Sequence, residues 1–177
     1  MTSDLSDTER ERLLQLAATV FQLARSGDAA TLQSMLEQGL SPDLRNDKGD
    51  CLLMLAAYNG NEAAVQTLLR HGANPNFVND RGQTPLAAVA YTGHVAIATH
   101  LLDHGAKDDT PVASGRTALM NAAMFDRIDI LNLLLARGAD PAATDADGAT
   151  ALDHARRAGS TRTVAVLEKL VTPAGPS

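Results

Sequence analysis

Apolar residues along this chain fall into short runs with helical spacing, most of them closed by a glycine. The first run is the longest: Leu13, Leu14, Leu16, Ala17, Val20, Phe21 and Ala24 hold one helical face from about residue 7 to residue 24. Ser6 followed by Glu9 has the spacing of a capping box, in which each side chain satisfies a backbone N–H that the first turn leaves unpaired. The polar first half of this helix reads as an end cap facing water. Later runs are shorter, and their members recur. Leu68-Leu69, Leu101-Leu102 and Leu134-Leu135 occupy one pair of positions, and Ala56-Ala57 and Ala122-Ala123 another. Such runs predict helices too short to persist alone in water. Packed in layers, these leucines and alanines form the expected core, with alanine allowing close approach.

Three glycine columns share one interval of 33 residues. They are Gly49, Gly82, Gly115 and Gly148; Gly39, Gly72, Gly105 and Gly138; and Gly27, Gly60, Gly93 and Gly159, the last interrupted by Asp126. The residue after a helix often takes positive φ, which favours glycine. Asp tolerates that region at roughly 1 kcal/mol, so a small local strain is expected at Asp126. Thr84-Pro85-Leu86 marks a helix start, with threonine as N-cap and proline at the first helical position. Thr117 and Thr150 keep the cap while Ala118 and Ala151 replace the proline. Cys51-Leu52 departs further, so there either the cap is weak or Asp50 substitutes.

A period of 33 with a Thr-Pro-Leu turn and two short helical patterns resembles the ankyrin repeat. The resemblance implies an all-α repeat solenoid, an ankyrin stack of about five helix-turn-helix repeats joined by β-hairpin-like fingers. The repeats are expected at about 13–45, 46–78, 79–111, 112–144 and 145–171. They form a single domain over 1–171, with a capping extension at 1–12 and a disordered Pro/Gly/Ser tail at 172–177. The finger at 107–116 is expected to be irregular, because Asp108 stands at the usual proline position and Pro111 follows later. The family's Thr-Pro-Leu-His histidine is missing: its position holds Phe21, Met54, Ala87, Met120 and Asp153. Apolar packing is expected to replace the imidazole bonds between repeats. The compact form looks like the small free-standing ankyrin proteins of bacteria.

Composition supports thin layers, since 45% of the 177 residues are hydrophobic but only 3% aromatic. The net charge of −6 disfavours nucleic acid and anionic membrane surfaces. The start, MTSDLSDTER, does not read as a secretory signal, and no apolar stretch reaches the roughly 18 residues of a membrane span. The lone Cys51 excludes an internal disulfide and fits a reducing compartment. A cytoplasmic monomer without cofactor is expected.

Candidate chemistry is sparse. His100 and His104 share one helix face, as two metal ligands would, but no Glu or Cys stands at ligand spacing and the position reads as solvent-facing. His71 occupies the position equivalent to His104. Cys51 sits at a helix start, where thiol pKa values fall, so a reactive thiol is the other enzymatic reading. Asp153 and His154 are adjacent and so do not face one another on a helix; they read as part of the end repeat's capping surface. A non-catalytic protein is the reading adopted, with a metal- or thiol-dependent enzyme and a self-associating scaffold as alternatives.

The resemblance further implies a concave face of fingers and first helices that binds an unidentified protein. The two residues before the third glycine column read Arg25-Ser26, Tyr58-Asn59, Tyr91-Thr92, Met124-Phe125 and Arg157-Ala158. Three of the five aromatic residues fall here, either as an interface stripe or as packing against neighbouring fingers. Candidate contacts are Tyr58, Asn59, Tyr91, Thr92, Met124 and Phe125, together with the finger residues Asp47, Lys48, Asp50, Asp80, Arg81 and Gln83. Eight aspartates against four bases in the fingers suggest a partner with a basic rim. The same aspartates also suit local turn caps.

Overall fold

The computed structural model describes residues 6–108 and 114–171. Among these residues there are ten helices, in five consecutive pairs, and no strand. The pairs are α1 (Asp7–Ser26) with α2 (Ala29–Glu37), α3 (Leu52–Tyr58) with α4 (Glu62–Arg70), and α5 (Pro85–Thr92) with α6 (Val95–Asp103). Then come α7 (Ala118–Met124) with α8 (Ile128–Ala136), and α9 (Ala151–Ala158) with α10 (Thr161–Val171). Odd-numbered helices pack on odd-numbered neighbours and even on even, so the chain is an all-helical solenoid two layers thick. The expected tail at 172–177 and the centre of the finger at 107–116, including Asp109 and Pro111, lie outside the described residues.

Helix ends follow local chemistry. Ser6 and Glu9 form the capping box at α1, and Thr84, Thr117 and Thr150 each accept a backbone N–H at the start of α5, α7 and α9. At α3 the cap is Cys51 itself, whose Sγ accepts the Met54 N–H at 3.4 Å, so Asp50 does not substitute for it. Gly27 closes α1 at φ 81°. Asp126 takes the same left-handed region at φ 53°.

The core runs the length of the stack. Leu68, Leu101 and Leu134 are fully buried with Ala56, Ala57, Ala122 and Ala123, and losing such a leucine to alanine costs about 2–5 kcal/mol. Their partners Leu102 and Leu135 are only half-buried against that core. In α1 the apolar face is wider than the surface it covers. Val20, Phe21 and Ala24 are buried, whereas Leu13, Leu14 and Leu16 are exposed; among the described helices α1 packs mainly on α2 and α3.

The fingers are tight turns, with one isolated antiparallel bridge among the described residues, Arg45 to Cys51. A single side chain organises three of them. Asn46 Oδ1 accepts from the Lys48 and Asp50 N–H groups, Asn79 Oδ1 from Arg81 and Gln83, and Asp145 Oδ1 from Asp147 and Ala149. One expectation needs correction: apolar packing alone does not replace the missing histidines. A polar column one residue after the third glycine column ties each pair to the one before it. Asn61 Nδ2 donates to the Ala24 and Arg25 carbonyls at 3.0 and 2.7 Å, Arg127 Nε to the Tyr91 carbonyl at 3.0 Å, and Ser160 Oγ to the Met124 carbonyl at 2.7 Å. His94 completes the column with its ring against Gly60. Helix C-termini leave carbonyls unpaired, and these side chains satisfy some of them.

Candidate partner-binding groove

Where α1 and α3 end, their last turns stand beside the turns at residues 46–50 and 79–83 and the later part of α5. Together they enclose an open groove of about 540 Å³. Tyr58 is the last residue of α3 and Tyr91 lies one residue from the end of α5. The two rings lie parallel within 7°, with centroids 6.2 Å apart, and Phe125 meets Tyr91 edge-on at 4.5 Å. Tyr58 and Tyr91 remain 50% and 44% exposed. The rings therefore pack on one another and still present area outward.

Of the expected contact residues, Tyr58, Asn59, Tyr91, Asp47, Lys48, Asp50, Arg81 and Gln83 line this groove. Thr92, Met124, Phe125 and Asp80 do not. Asn59 Nδ2 donates back to the Leu55 carbonyl, and Thr92 Oγ1 to the Ala88 carbonyl, so both turn onto their own helices. Arg25, Met54 and Leu55 also line the groove and were not among the candidates. Arg25 was legible in principle, since it precedes Tyr58 and Tyr91 in one column.

Part of the acidic border is spent inside the molecule. Asp50 is 5% exposed and its Oδ1 accepts from Asn79 Nδ2 at 2.7 Å and from the Arg81 guanidinium at 3.1 Å. Asp43 accepts the Asn74 N–H, and Asp108 the Leu119 N–H. Asp145 is buried, and the Ala149 N–H, ahead of His154, holds its carboxyl below the usual carboxylate range. Asp145 caps its own turn, whereas Asp43, Asp50 and Asp108 are committed to groups further along the chain. Arg45 is likewise engaged, over the Phe77 ring at 4.8 Å.

The enzymatic alternatives also change. His100 is not on a free surface: its Nε2 lies 3.0 Å from Glu62 Oε1 and 2.8 Å from Gln66 Nε2, both on the neighbouring α4. A glutamate that spacing could not reveal is therefore present, yet among the described residues no group of three or more His, Cys, Asp or Glu could hold a metal. His104 Nδ1 bonds the His100 carbonyl just as His71 Nδ1 bonds that of Thr67, each at 2.8 Å, so both serve a helix end. Cys51 is fully buried, and burial pushes its thiol pKa up to about 11, against the lowering expected at a helix start. His154 is buried rather than part of a surface, its Nε2 2.7 Å from Asp145 Oδ2, while Asp153 accepts from the Thr150 backbone and hydroxyl.

Comparison with known proteins matches the solenoid. The family described as ankyrin repeats in three copies matches residues 20–112, and the one described as ankyrin repeats in many copies matches 101–155. The chain belongs to the ankyrin repeat family. A Pseudomonas aeruginosa protein named for its ankyrin repeats is 58% identical over 40 residues, a stretch covering 23% of each chain. Ankyrin repeats are generally protein–protein interaction modules and are typically non-enzymatic. Among the described residues of this ankyrin protein no helix is long and apolar enough to cross a membrane.

Proposed function

We propose that this ankyrin chain is a non-catalytic binding module that receives a protein partner in the groove between α1, α3 and α5. The observation that carries the reading is the pair of parallel, half-exposed tyrosines over that groove. Tyrosine combines a large apolar face with a polar tip and loses little rotamer freedom on binding. Both rings sit at helix ends backed by buried core, so the surface is organised before a partner arrives, which lowers the ordering cost of association.

Tyr58→Ala is the discriminating variant. Tyr91 packs between two rings, and its removal costs stability as well as surface. Immobilised wild-type chain and the Tyr58→Ala variant are used to capture proteins from a lysate of the source organism. The expected result is a specific protein lost with Tyr58→Ala while the urea midpoint moves little. Equal capture by both overturns the reading, and a collapse of stability shows that Tyr58 belongs to the core.

A further inference from the structure

We propose that the segment docking in this groove is acidic, setting carboxylates against Arg25, Lys48 and Arg81 while an apolar or planar side chain lies on Tyr58 and Tyr91. The inference rests on the groove being the docking surface.

Charge in the groove runs against the composition of the chain. The whole molecule carries 21 acids against 15 bases, yet three cations line the groove with only Asp47 and Asp50 opposite them. Asp50 is buried and already occupied by Asn79 and Arg81. That leaves Asp47 as the exposed acid facing three cations. Among the described residues the side chains of Arg25 and Lys48 make no hydrogen bond or ion pair, and both are exposed. Arg81 commits one nitrogen to Asp50 and stays 62% exposed, so its planar fork is held in place with further N–H donors free to meet a carboxylate.

The placement suits an extended chain. Arg25 stands one step along the stack from Tyr58, in the column that continues to Tyr91, and Lys48 and Arg81 hold equivalent positions in successive turns. Two rows of contacts therefore line the groove, one of Arg25, Tyr58 and Tyr91 and the other of Lys48 and Arg81. A segment alternating acidic and apolar residues meets both, because successive side chains of an extended strand point to opposite sides. A basic segment would meet like charge along one whole row.

The test uses fluorescence anisotropy on the full chain. The probes are three fluorescein-labelled peptides of one length: glutamate alternating with leucine and phenylalanine, the same with glutamine for glutamate, and the same with lysine. A labelled thymidine oligonucleotide is the fourth probe. The glutamate peptide is expected to bind tightest and to weaken by about tenfold between roughly 0.05 and 0.3 M salt, as screening of exposed charges requires. Arg25→Glu with Lys48→Glu should weaken it by about tenfold or more, and Asp47→Lys should tighten it, because reversing an exposed charge at a rim changes attraction without touching the core. The proposal is overturned if the glutamate peptide binds no better than the glutamine peptide, if the lysine peptide or the oligonucleotide binds tighter, or if neither charge reversal moves the affinity. Failure here with Tyr58→Ala still abolishing lysate capture removes the acidic segment and keeps the groove; capture indifferent to Tyr58→Ala removes the groove itself.

Discussion

Asn79 Nδ2 donates to Asp50 Oδ1 at 2.7 Å across the boundary between two helix pairs, with both side chains buried. The same asparagine accepts the Arg81 and Gln83 N–H groups, so one residue builds its own turn and fastens it to the turn before. Asn79→Ala is expected to cost about 1–3 kcal/mol, because it strips a partner from a buried carboxylate and leaves two N–H groups without their acceptor. Asn79→Asp should be worse at neutral pH, since a second carboxylate then faces Asp50. Like charges raise a carboxyl pKa, so that excess loss should shrink in urea titrations repeated at about pH 4 to 5.

Gly49 and Gly148 offer a matched pair. They stand in one column at φ 70° and 76°, but a Cβ on Gly49 would lie 2.9 Å from the Asp80 backbone nitrogen, whereas nothing lies within 4 Å of one on Gly148. Gly148→Ala should cost about 1–2 kcal/mol for the left-handed conformation alone. Gly49→Ala should cost clearly more, because backbone cannot step aside as a flexible side chain can. Equal urea midpoints for the two variants would show that adjacent turns slide freely.

Asp126 occupies a glycine position and is rewarded with partners. Arg162 Nε meets its Oδ2 at 2.7 Å, and the Thr163 N–H meets Oδ1 at 3.0 Å. The opposing member of the polar column, Ser160, is small, whereas Asn61, His94 and Arg127 oppose glycines. Asp126→Ala keeps the strain and loses the bonds, so it should be less stable than Asp126→Gly by about 1 kcal/mol. The Arg162 bond holds the Asp126 carboxyl below its ordinary pKa. A carboxylate depressed in the folded state adds stability above its unfolded pKa and loses it as pH falls through the folded value. The advantage of wild type over Asp126→Gly should accordingly narrow below about pH 4.

Cys51 should behave as a structural thiol. With its pKa pushed up to about 11 by burial, it is almost wholly protonated at neutral pH, and the thiolate is the reacting species. Labelling by a disulfide reagent at pH 7 is expected to be slow and to accelerate sharply in unfolding urea. Rapid labelling of the folded chain would contradict the buried cap.

The repeat, the helix ends and the aromatic column were legible in the residues alone because each depends on short-range rules repeated at a fixed interval. A capping box, a threonine before a proline, and a glycine after a helix act within one turn of backbone. The use made of the polar side chains was not legible. Asp50 with Asn79, Glu62 with His100, Arg162 with Asp126 and Arg25 beside Tyr58 are all separated by about one repeat in sequence, and spacing says only that they recur. Whether they touch depends on how far each helix pair is shifted and turned against the next, which is set by the packing of leucine and alanine between layers. That packing turned a helix-start cysteine into a buried cap, drew aspartates out of the acidic border into turns, and left Arg25, Lys48 and Arg81 around two tyrosines.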